Sequence, residues 1–276
     1  MEIFQKLWKL SLQLGIMNLG RKTAVFPFTF LTPEDLMKNP FRSNMLPFFT
    51  MGAGGLGLAL RLWLFSAADE NGLFPLNHPA DYGLYILTAI TLGILFLATR
   101  NLIPQRLSKQ FVSISGTCAY AVGGLCLILT ALWKISTSSA RLAWLAVAAS
   151  VIGGLAMFFM AALKFSRKRL PYWLPAILTV VLMLDTVAQC QLWGAIPQLQ
   201  SYFFPLLASI FLILSAYHKT KLAAHQGNPR QLAFFSQGAL FFCCLSLNTP
   251  QWPLYFGMLF WAAAQLYPCI LTKKEA

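Results

Sequence analysis

Acidic side chains are scarce in this chain. Asp and Glu number 8 among 276 residues, against 21 Lys and Arg, and charged residues of both signs make up only 11%. A soluble domain carries about a quarter charged residues, so this shortage argues against an ordinary water-facing surface. Gly/Ser linkers and low-complexity tracts are also missing, and beyond the first 44 residues the longest polar gap runs only from His218 to Gln231. That leaves no room for a further soluble domain.

Missing motifs narrow the chemistry. Without a Walker A sequence there is no self-contained ATP motor. Without HExxH or GxSxG the commoner metallopeptidase and serine-hydrolase signatures are gone. No two carboxylates lie together within an apolar run, which argues against an aspartyl dyad. The six cysteines, Cys118, Cys126, Cys190, Cys243, Cys244 and Cys269, show no CxxC spacing. They read as small apolar packing residues rather than as a disulfide framework or a zinc site. No cofactor, metal site or catalytic residue is expected. An N-x-S/T sequon is absent, which fits a bacterial plasma membrane.

What the chain does have is apolar length. Hydrophobic residues make up 58% and the mean hydropathy is +0.63. Windows of about 19 residues predict eight membrane helices near 45–66, 81–99, 111–133, 142–163, 171–193, 202–217, 232–247 and 253–271. The fold class expected is therefore an all-α integral membrane protein, a bundle of eight transmembrane helices. It divides into a cytoplasmic or interfacial segment 1–44, a transmembrane domain 45–271 and a cytoplasmic tail 272–276.

The net charge of +13 does not point to nucleic acid, because the basic residues fall between the apolar runs. Lys6, Lys9, Arg21, Lys22, Lys38 and Arg42 precede span one. Arg100, Arg106 and Lys109 follow span two, and Lys164, Arg167, Lys168 and Arg169 follow span four. Lys219, Lys221 and Arg230 follow span six, and Lys273 and Lys274 close the chain. All of these lie on one side if the spans alternate, with only Lys134 and Arg141 opposite. The positive-inside rule then places both termini in the cytoplasm. Trp63, Trp133, Trp144, Trp193 and Trp252 fall at outer ends and Trp173 at an inner end, as an interfacial belt requires, with Trp261 the mid-span exception.

In the first segment, Glu2, Gln5, Lys6, Lys9 and Gln13 share an arc of a helix whose remaining positions are largely apolar. The pattern predicts an amphipathic helix lying in the inner headgroup layer, not a secretory signal. A second short helix is expected from an N-cap at Thr32, with Pro33 at its first position.

Two charges fall inside spans. Arg61, in GLGLALRLWLFS, lies about five residues below the outer end of span one and shares a face with Ala53 and Gly57. That small-residue face suits helix packing. Asp185, in VLMLDTVAQCQLW, is the one carboxylate well inside a span, roughly 12 Å deep, with Gln189 one turn outward. An intramembrane carboxylate costs several kcal/mol unless paired, hydrated or protonated. We expect Arg61 and Asp185 to pair, and Arg61, Asp185 and Gln189 form the candidate intramembrane polar site. Ser113, Thr117 and Tyr120 with Gly124 make a weaker polar stripe on span three, a helix contact or a substrate groove. Ala146, Ser150 and Gly154 make a small-residue stripe on span four. Gln237 and Gln265 are lone amides within spans. The loop containing Asp69, Glu70, His78 and Asp81 matches no metal-ligand spacing, and Asp81 reads as an N-cap.

These features point to a small-molecule or ion permease, or the membrane subunit of one. The alternatives are a non-catalytic membrane scaffold, sensor or assembly partner, and, third, a membrane-embedded lipid enzyme that lacks a convincing acid–base pair. The expected partners are the lipid bilayer and a small molecule, ion or membrane protein.

Overall fold

The computed structural model describes residues 46–68, 74, 75, 78–100, 114–137, 141–166, 170–193 and 199–270. The chain divides into two compact units, Met1–Pro40 and Phe41–Ala276, and every described residue belongs to the second. The expected N-terminal amphipathic helix, the cap at Thr32 and the tail 272–276 lie outside the described residues.

The regular structure among the described residues is all helical. The helices are α1 (Leu46–Ser66), α2 (Pro79–Arg100), α3 (Ile114–Thr137), α4 (Arg141–Phe165), α5 (Trp173–Trp193), α6 (Leu199–Ala223), α7 (Pro229–Leu245) and α8 (Trp252–Ile270). A 3₁₀ turn, Ser246–Asn248, follows α7. Seven of the eight are long and apolar enough to cross a bilayer over their described residues. This is an all-α, multi-pass membrane protein, and the eight predicted spans coincide with the eight helices.

The edges differ where local chemistry extends a helix past its apolar run. α3 continues through Trp133, Lys134 and Ile135 to Thr137, so Lys134 belongs to the helix rather than to a loop. α6 continues through Tyr217-His218-Lys219 and ends in a Schellman arrangement. There Gln226 N donates to Lys221 O (2.9 Å) and His225 N to Leu222 O (3.1 Å), with His225 itself left-handed at φ 61°. α7 starts at Pro229 because the Asn228 side chain caps it by accepting from Arg230 N at 3.0 Å. α2 starts at Pro79, two residues before Asp81. The expected N-cap role passes to His78, whose Nδ1 accepts from Ala80 N at 3.3 Å, while Asp81 sits in the first turn. Asp69 and Glu70 lie outside the described residues.

Sequence neighbours pack pairwise from α3 to α8, and α8 returns to α3, closing a circuit of six helices. α1 and α2 pack together and against α7, which also contacts α6 and α8 and is buried almost all round. Close seams are set by small residues, as expected for helices that associate without a hydrophobic drive. A Cβ on Gly124 would come within 2.9 Å of the Gly154 carbonyl on α4, and one on Gly257 within 2.3 Å of Cys126 Cβ on α3. Gly54 and Gly57 make room for Cys244 and Leu245, so α1 and α7 run parallel. The Ala146–Ser150–Gly154 stripe on α4 is buried as expected. Trp63, Trp133, Trp144, Trp173 and Trp252 are about half exposed, and Trp261 is fully buried. Cys126, Cys243 and Cys244 are buried, but Cys118 and Cys190 are exposed on the helix surface, and all five are free thiols.

Candidate intramembrane polar site

The odd-numbered helices, α5 and α3 among them, end on one face of the bundle. Asp185 lies on α5 about 12 Å below that helix's end, and Lys134 on α3 about 4.5 Å below its own, at 1.5 Å per residue. Side chains on both helices lean back toward the helix N-terminus, away from that face. The long lysine side chain therefore descends to the level of the short carboxylate. Lys134 Nζ donates to Asp185 Oδ1 in a buried ion pair.

The same lean brings Gln189 onto Asp185 from one turn above, as its Nε2 donates to Asp185 Oδ2 at 2.6 Å. With its amide so oriented, Gln189 Oε1 is left as an acceptor facing α8. The Tyr255 hydroxyl lies 3.3 Å from Gln189 Oε1 and 3.4 Å from the Pro205 carbonyl of α6. The Ser209 side chain stands beside it. Lys134, Asp185, Gln189 and Tyr255 thus form one polar chain contributed by α3, α5 and α8. α3 and α5 share no extended packing seam, so these side chains bridge the interior of the six-helix circuit. Lys134 is 8% exposed, Asp185 3%, and Gln189 and Tyr255 1% each.

Asp185 therefore takes Lys134 and Gln189 as partners, not Arg61, and the expected Arg61–Asp185 pair is replaced. The reason is geometric. Arg61 sits on α1, outside the circuit, and packs on α7. Its Nη1 donates to the carbonyl of Leu245, the last residue of α7, at 2.5 Å. The last carbonyls of a helix lack intrahelical donors and carry its negative end, so a guanidinium there acts as a cap. Its charge also lies over the rings of Phe65 (5.4 Å) and Phe204 (5.8 Å). α7 has only 17 residues, and the turn after it begins at the fully buried Ser246. Irregular backbone at membrane depth is tolerated where protein covers it and its polar groups are met, and Arg61 meets one of them. Tyr255 lies within electrostatic reach of both Arg61 and Asp185, so the two predicted charges flank one phenol without sharing a bond.

The weaker stripe is partly dispersed. Ser113 lies outside the described residues and Thr117 is half-buried. Tyr120 is buried, accepts from Gln265 Nε2 at 2.7 Å, and carries the Lys164 ammonium 4.7 Å from its ring centre. It therefore joins α3, α4 and α8 at the inner end, a helix contact and not part of the Asp185 chain. The other lone amide, Gln237, is buried on α7.

Two members of the polar chain are absent from the sequence-based site. Lys134 looked like a loop residue because the apolar run stops at Trp133. Tyr255 carries a weak signal, a hydroxyl inside a span that must find a partner. The Leu245 carbonyl has no side-chain signature at all. Comparison of the chain with protein-family models, with curated proteins and with solved structures gives no match.

Proposed function

We propose that this protein is a permease for an ion or small molecule, or the membrane subunit of one, working through the polar chain centred on Asp185. The observation carrying this reading is a charged carboxylate, ammonium, amide and phenol strung across the interior of a helix circuit at membrane depth. Ionisable residues at such depth are costly, and they mark ion and substrate pathways and proton relays in membrane proteins. The burial of all four groups corresponds to an occluded state. In this reading both termini lie in the cytoplasm. With Lys134 inside α3, the outer side retains only Arg141, so the basic bias toward the inner side is steeper than the sequence suggested.

A structural reading has its own support, since both Asp185 oxygens already have donors and the pair can act as a clamp. The two readings separate in liposomes loaded with a pH-sensitive dye and challenged with gradients of sodium, potassium, methylammonium and lactate. The permease reading expects a response above protein-free vesicles to at least one gradient, lost in Asp185→Asn. A response equal to protein-free vesicles for every gradient, with Asp185→Asn merely lowering the unfolding temperature, favours the clamp.

A further inference from the structure

We infer that Lys134 is a tethered occupant of a cation site at Asp185, and that a small monovalent cation, a proton included, takes its place there. This rests on Asp185 being a transport site as proposed above, but its test reads Lys134 itself.

Three observations meet in it. First, the carboxylate is furnished for one positive charge. Gln189 Nε2 fills Oδ2, and Oδ1 is left to a single cationic donor, Lys134 Nζ. The groups facing this point from the other packed helices are Tyr255 of α8, Ser209 and the Pro205 carbonyl of α6 and, through Tyr255, Arg61 of α1. Arg141 opens α4 at the same face. None of these is a second carboxylate, so among the described residues Asp185 neutralises the cation that sits there.

Second, Lys134 can leave without unfolding anything. A lysine ammonium stands about 6 Å from its Cα when extended, five bonds of about 1.5 Å in zigzag. Turned inward it covers most of the roughly 7 Å difference in depth between the two residues. Turned outward from a Cα about 4.5 Å below the end of α3, it reaches beyond the helix end, where a lysine snorkels into the headgroup layer. Lys134 is three residues from the end of α3, and its chain neighbours Trp133, Ile135 and Ser136 are exposed.

Third, the pair is obligatory only while both charges are present. Neutralising Asp185 by a proton, or satisfying it with another cation, leaves a buried ammonium with no counter-charge. That state costs several kcal/mol, against a solvated ammonium a few ångströms away. The displaced Lys134 moves outward, and the Asp185–Gln189–Tyr255 segment exchanges its resident charge for the incoming one. No covalent bond changes.

The experiment is labelling of the purified full-length protein in detergent with a sulfonated, amine-reactive ester. Occupancy at Lys134 and at Lys164 is read by peptide mass spectrometry. Lys164, half-buried over Tyr120 at the other end of α3, gauges general loosening. The inference expects slow labelling of Lys134 in the wild type and a rise of at least fivefold in Asp185→Asn, the mimic of the protonated acid, with Lys164 unchanged. Asp185→Glu, which keeps the charge, should stay near the wild type. Added sodium or methylammonium raising wild-type Lys134 labelling identifies the displacing ion as a cation of that kind. No effect of either, with Asp185→Asn raised, identifies it as the proton. Lys134 as protected in Asp185→Asn as in the wild type, or Lys134 and Lys164 rising together, overturns the inference. Exchange at Lys134 without flux in liposomes would leave this inference standing and remove the permease reading.

Discussion

Arg61 shows how a helix end and aromatic faces receive an arginine buried at membrane depth. It is 1% exposed, and its charge meets a helix C-terminus, two phenyl faces and the neighbourhood of a phenol. Replacing it with Met keeps much of the packing volume but strips the Leu245 carbonyl of this donor. An unmade buried hydrogen bond costs about 1–3 kcal/mol. We therefore expect Arg61→Met to lower stability in detergent by about that amount, measured by chemical or thermal unfolding. An unchanged midpoint would mean that Arg61 does not cap α7. At this scale the sequence was half legible. The depth of Asp185 and of Arg61 follows from counting residues along an apolar run, because rise per residue is fixed. Which helix each one faces does not follow, because periodicity orders residues around one helix and says nothing of its neighbours. Arg61 and Asp185 occupy overlapping depths, yet α1 lies outside the circuit that α5 helps to close.

At the scale of elements, helix ends were the less legible part. Apolar windows located all eight helices, but an amphipathic last turn such as Tyr217-His218-Lys219 carries a helix beyond its hydrophobic segment, and Lys134 was misplaced for the same reason. The Schellman end of α6 places His225 at φ 61°, a conformation costing an L-residue about 1–2 kcal/mol and glycine little. His225→Gly should therefore stabilise the protein by about 1 kcal/mol, seen as a higher unfolding temperature. A lower temperature would show that the imidazole contributes more than its backbone conformation costs.

For the whole molecule, eight helices and the basic bias predict an orientation that reporter fusions can read directly. A phosphatase active only outside the cytoplasm, fused after Ala276, should be inactive. The same reporter inserted between α5 and α6, after Ile196, should be active. Reversed activities would invert the assignment of the Asp185 chain to the outer half. The architecture itself explains why a polar chain persists there. Six helices close a circuit in which α3 and α5, the two neighbours of α4, share no packing seam, and side chains from α3, α5 and α8 meet across the gap. Charged groups do so in a space that apolar residues could fill, which is the ground on which the proposed function rests.

The measurement that tests this account most directly is a double-mutant cycle on Lys134 and Asp185, using unfolding in detergent of the wild type, Lys134→Met, Asp185→Leu and the double mutant. Removing one partner of a buried pair costs about 3–5 kcal/mol, whereas removing both is often nearly neutral. The account predicts that Lys134→Met, which leaves the short Asp185 carboxylate buried without its cation, is strongly destabilising, that Asp185→Leu costs less because Lys134 turns outward to water, and that the double mutant recovers most of the Lys134→Met loss. Additive losses, or Lys134→Met as stable as the wild type, would contradict it.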